Sequence, residues 1–110
     1  MLIFAVAVFT LVAVMGLGMA LDLFKGQGSP RLFALTHAGF AALGSLLVII
    51  AALQGNTAVI VNIILAVVII GLGFWLSLRR AKGEHPKNLA MLHGGLAVVC
   101  YLILVYNAFA

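Results

Sequence analysis

Acidic side chains are almost absent from this 110-residue chain: Asp22 and Glu84 are the only two, and charged residues of either sign make up 7% of it. So little polar surface cannot cover a water-soluble globule of this length, which excludes a soluble domain. With no paired carboxylates, no Ser-His-Asp set and no phosphate loop, the chain has no hydrolytic site, and no catalytic activity of its own is expected. Cysteine is nearly missing too. Cys100 stands alone, so no internal disulfide can form, and its place deep in an apolar run reads as a small packed hydrophobe. The first apolar segment lacks a preceding Lys or Arg and a small-residue cleavage site before Asp22, so it reads as a permanent helix and not as a signal peptide.

What remains is oil. Hydrophobic residues make up 66% of the chain, and the mean hydropathy is +1.35. Four uncharged stretches run over Leu2–Leu21, Leu32–Leu53, Thr57–Leu78 and Leu89–Phe109. Each is near the roughly 20 residues that a helix needs to cross a bilayer core. Their apolar runs are continuous and do not alternate, which excludes a membrane β-barrel, so an all-α bundle of four transmembrane helices is expected.

The basic residues are confined to two connections, Lys25 and Arg31 in the first, Arg79, Arg80, Lys82 and Lys87 in the third. Such one-sidedness places both basic loops in the cytoplasm and both termini outside, in a membrane such as the bacterial inner membrane. Nucleic-acid binding would need a basic face on a folded domain, and none exists. Trp75 falls near the cytoplasmic boundary, and Tyr101, Tyr106 and Asn107 toward the outer one.

The chain also says nearly the same thing twice. Gly16-Leu17-Gly18, then a basic loop, Pro30, Ala34, His37, Gly39 and Ala41, returns as Gly71-Leu72-Gly73, a basic loop, Pro86, Ala90, His93, Gly95 and Ala97. The offset is 55 residues before the loop and 56 after it, with His85 read as the insertion. Residues 1–54 and 55–110 are therefore two parallel two-helix repeats of one domain. Pro30 and Pro86 suit the first turns of helices 2 and 4.

Each repeat carries one imidazole inside an apolar segment. His37 and His93 each follow a proline by seven residues, which puts both about 10 Å into their helices. Their helix faces carry mostly small side chains, Ala34, Ala41 and Gly44 beside His37 and Ala90, Ala97 and Cys100 beside His93. Gly16, Gly18, Gly71 and Gly73 thin the other two helices at a similar depth.

One reading is packing: a neutral imidazole donates to a carbonyl or hydroxyl of the next helix, with Thr36 or Ser45 as partners, among close-approach small residues. The sharper reading follows from the rule that polar residues inside a membrane mark function. Two level imidazoles between apolar walls are candidate axial ligands of the iron of haem b, with Arg31 and Lys87 as propionate partners and the four glycines as clearance. The arrangement is similar to that of membrane cytochromes b, in which haems lie between bundle helices held by histidine pairs. That resemblance rests on His37 and His93 and implies a haem-binding or redox-associated subunit.

Two alternatives stand beside it. A non-catalytic accessory subunit would pack against a larger membrane complex or another copy of itself, with the lipid bilayer as its remaining surroundings. A small transporter is the other. Small drug exporters have this size, but theirs is the chemistry of a carboxylate deep in the first helix, where only Thr10 stands here. Zinc or copper would find two histidines an incomplete site. Asn62, the other polar residue well inside the bilayer, is expected to bond a neighbouring helix.

Overall fold

A computed structural model describes all residues, 1–110. The chain is a compact bundle of four helices: α1 (Leu2–Phe24), α2 (Arg31–Leu53), α3 (Ile60–Ala81, entered through a 3-10 turn at Thr57–Val59) and α4 (Lys87–Phe109). All four are long and apolar enough to cross a membrane. Pro30 and Pro86 stand one residue ahead of α2 and α4, and their carbonyls accept from Ala34 and Ala90. A proline fits there because the first backbone N–H groups of a helix have no partner to lose.

The C-terminal ends of α1, α2 and α3 share one closure. Gly26, Gly55 and Gly83 lie just past α1, α2 and α3 with φ of 71°, 104° and 82°. The N–H of each reaches back to Leu23, Ala52 and Arg80, and that of the next residue to Asp22, Ala51 and Arg79. Those paired bonds satisfy carbonyls that the helix leaves open, and the left-handed backbone they need costs least at glycine.

Gly26 and Gly83 are 57 residues apart, whereas the Gly-Leu-Gly motifs are separated by 55. Thus α3 runs two residues further beyond its motif than α1 does. The following loop, 82–86, is one residue shorter than 25–30. The additional residue of the second half is taken up by the helix and not by the loop around His85. Where the turn falls is set by the glycine that ends the helix.

Neighbouring helices touch in the order α1, α2, α3, α4 and back to α1, so α1 lies diagonal to α3 and α2 to α4. Contact is closest within the pair α1–α2 and least between α2 and α3. The packed core lies at the end away from the basic loops. There Ala5, Val48, Ala51, Val59 and Leu104 are buried, with Phe9, Leu47 and Ile63 against them. Met15, Leu23, Leu89 and Ala90 are buried nearer the basic end, while many other apolar side chains face outward; Leu32 is 77% exposed and Leu53 82%. In lipid such exposure costs nothing, and helices associate through packing and hydrogen bonds.

Candidate functional site

The bundle is closed by its core at one end and hollow toward the other. A partly open cavity of about 1290 Å³ runs between the helices, reaching from Val48, Asn62 and Leu104 to Ser29, Arg31, Arg80 and His85 at the basic end. Both intramembrane imidazoles, His37 on α2 and His93 on α4, line it from opposite corners. No aspartate or glutamate does.

Each ring rests on a glycine of the preceding helix. A Cβ added at Gly16 would stand 3.0 Å from His37 Cε1, and one at Gly73 would stand 2.8 Å from His93 Cε1. Gly16 and Gly73 are both eight residues before the end of their helix, and His37 and His93 both six residues after the start of theirs. Antiparallel neighbours joined by similar turns bring these levels together, since depth along a helix is residue number times a fixed rise. The two arms thus use different glycines of the same motif, the first in α1 and the second in α3. Gly18 is merely touched by Phe33, 3.9 Å from where its Cβ would be, and Gly71 meets nothing within 4 Å. Neither lines the cavity.

The hydrogen bonding of the two rings differs. His93 Nδ1 donates to the Ile69 carbonyl at 2.8 Å, four residues before Gly73. That bond fixes the tautomer, with the proton on Nδ1 and the lone pair on Nε2. The Val12 carbonyl, four residues before Gly16, is the matching neighbour of His37. His37 Nδ1 nevertheless makes no hydrogen bond and is buried. Thr36 and Ser45 bond their own helix instead, at Leu32 and Ala41. Nε2 of both rings has no protein partner and, unlike His37 Nδ1, is not sealed off from a guest.

An imidazole that donates through Nδ1 to a carbonyl and leaves Nε2 open is the state in which histidine ligates a metal. The same bond serves a purely structural histidine equally well. No group of three or more His, Cys, Asp or Glu side chains converges in metal-binding fashion anywhere in the bundle.

The cationic positions divide. Arg31 lines the mouth of the cavity. Lys87 does not; its ammonium lies 5.9 Å from the ring centroid of Phe24 at the end of α1, a cation–π distance. In its place at the mouth stands Arg80, which donates to the carbonyls of Gln27 and Met19 and to Ser29 Oγ across the bundle. Pattern reading missed Arg80 because a charged residue at a helix end is already explained by topology. Only the crossing from α3 to the α1–α2 connection sets it apart.

Four polar side chains farther from the basic end, Thr10, Asn62, Tyr101 and Asn107, are engaged across helices. Asn62, 3% exposed, donates to the Cys100 carbonyl at 2.8 Å and so bonds a neighbouring helix. Asn107 donates to Asn62 Oδ1 and to the Ala58 carbonyl. Tyr101 is not an interfacial anchor: it lines the cavity, and its hydroxyl donates to Thr10 on α1, which itself donates to the Val6 carbonyl.

No protein-family model matches the chain, and no curated protein and no solved structure matches it at a significant level.

Proposed function

We propose that this chain is a small redox-associated membrane subunit in which His37 and His93, on α2 and α4, would hold the iron of haem b. The observation that carries the reading is that both imidazoles stand on a glycine, with Nε2 unpaired, and border one apolar cavity from diagonal helices. Bound haem would supply one-electron chemistry, at a potential tuned by ligands and surroundings. The chain itself would do three things. Gly16 and Gly73 let the rings lie close to the helix backbone; the Ile69 carbonyl orients His93; the apolar walls keep water from the centre. The absence of a carboxylate from the lining counts against a proton-coupled transporter.

Purified from haem-replete cells, the protein is expected to be red, with a Soret band that shifts on reduction and is lost in His37→Ala and His93→Ala. Colourless protein overturns the proposal. The open flank between α2 and α3 would then favour an accessory subunit, bound there by a larger membrane complex or a second copy and recovered with that partner in mild detergent. Reporter fusions test the orientation: a fusion at Gln54 should report the outer face, and fusions at Lys25 or Lys82 the cytoplasm.

A further inference from the structure

Arg31 makes no hydrogen bond or ion pair within the protein, and every acceptor of Arg80 is neutral: two carbonyls and the Ser29 hydroxyl. The single ion pair is Arg79–Glu84 at 2.9 Å, and Asp22 is reached from Arg80 only through Ser29, which donates to it at 2.9 Å. Two guanidinium charges, with His85 beside them, thus border a largely apolar cavity that holds no compensating anion of the protein's own. A guanidinium next to low-dielectric walls binds carboxylate strongly, and its planar fork fits both oxygens.

We infer that Arg31 and Arg80 form a carboxylate-receiving rim, and that the cavity takes an amphipathic carboxylic acid with its acid group at the rim and its apolar body among the helices. This deepens the haem reading, in which the acid groups are the propionates, and replaces Lys87 by Arg80. Arg31 lies six residues before His37, about 9 Å nearer the basic end. A free fatty acid offers the same head chemistry, and the two sources are separable.

The test uses the full chain in detergent micelles with four probes: haem, haem dimethyl ester, a fluorescent polyene fatty acid and its methyl ester. The wild type is expected to bind an acid roughly tenfold or more tighter than its ester, the size of a charge-assisted bond. Arg31→Gln and Arg80→Gln should erase that preference, while Lys82→Gln, which loses the same charge away from the cavity, should keep it. Should Arg80→Gln fail to fold, Arg31→Gln decides, since its side chain is exposed and unbonded. Equal binding of acid and ester by the wild type overturns the rim, even where a Soret band upholds the haem. A fatty-acid preference without a Soret band from either porphyrin upholds the rim and removes the haem. Loss of preference in Lys87→Gln but not in Arg31→Gln, or no binding of any probe, also overturns it.

Discussion

The two hairpins, α1–α2 and α3–α4, hold their histidines over glycine at the same distance from the turn, yet they fasten themselves differently. In the first, the Phe9 ring lies on Gly44, so close that an added Cβ would stand 2.8 Å from it. At the corresponding level of the second, Cys100 replaces Gly44 and receives Asn62 through its carbonyl. One hairpin is closed by shape and the other by hydrogen bonds. The histidines follow suit: His93 is bonded to Ile69, while His37 is held by its surroundings alone. Two hairpins of similar sequence pattern need not share their contacts, because each is stable when its own pair of helices fits, by whichever means.

The contrast is breakable. The largest effect is expected from Gly73→Leu and Gly16→Leu, in which a bulky side chain takes the place of the imidazole; both should abolish any Soret band and empty the cavity of ligand. Next comes Gly44→Ala, which forces Phe9 off its seat and should cost about 1–3 kcal/mol in reversible unfolding in mixed micelles. An Asn62→Leu variant should lose about 1 kcal/mol, the scale of one interhelical hydrogen bond in a membrane. If Gly44→Ala proves harmless while Asn62→Leu unfolds the protein, the first hairpin is not closed by shape.

Smaller differences separate the two histidines in ligand-free protein. His93→Leu removes a bonded ring and should destabilise by about 1 kcal/mol. His37→Leu removes a buried nitrogen without a partner and should be neutral or stabilising, since an unpaired buried polar atom is itself costly. The same loss in both variants would sink the asymmetry. Smallest of all is Gly71→Ala, which meets nothing and should leave stability and ligand binding unchanged, whereas Gly16→Ala should weaken the binding of ligand. An effect of Gly71→Ala equal to that of Gly73→Ala would show that the second arm uses both glycines.

Much of this was legible in the residues. Hydropathy runs give the four spans to within a few residues, because a bilayer demands continuous apolar helix and nothing else. Depth was legible for the same reason, from the fixed rise per residue between Pro30 and His37 and between Pro86 and His93. Less legible was which of two glycines two positions apart meets the imidazole. Both lie on thin stretches of the same helix, and the choice depends on where Gly26 and Gly83 end α1 and α3. Tyr101 misled for a related cause: its ring suits an interface, yet Thr10 on the neighbouring α1 offers its hydroxyl a partner across the helix pair.

From its composition and periodicity alone, the chain was bound to be four helices long and apolar enough to cross a membrane, with its cations at one end and a histidine at equal depth in each half. Those properties are local, set by solvent and helix geometry. The diagonal placement of α2 and α4, the closed core opposite the basic loops, the hollow between them and the replacement of Lys87 by Arg80 at its mouth were decided only by tertiary structure. They depend on which helix faces meet, and small apolar side chains on every face allow many such meetings until all four helices are packed together.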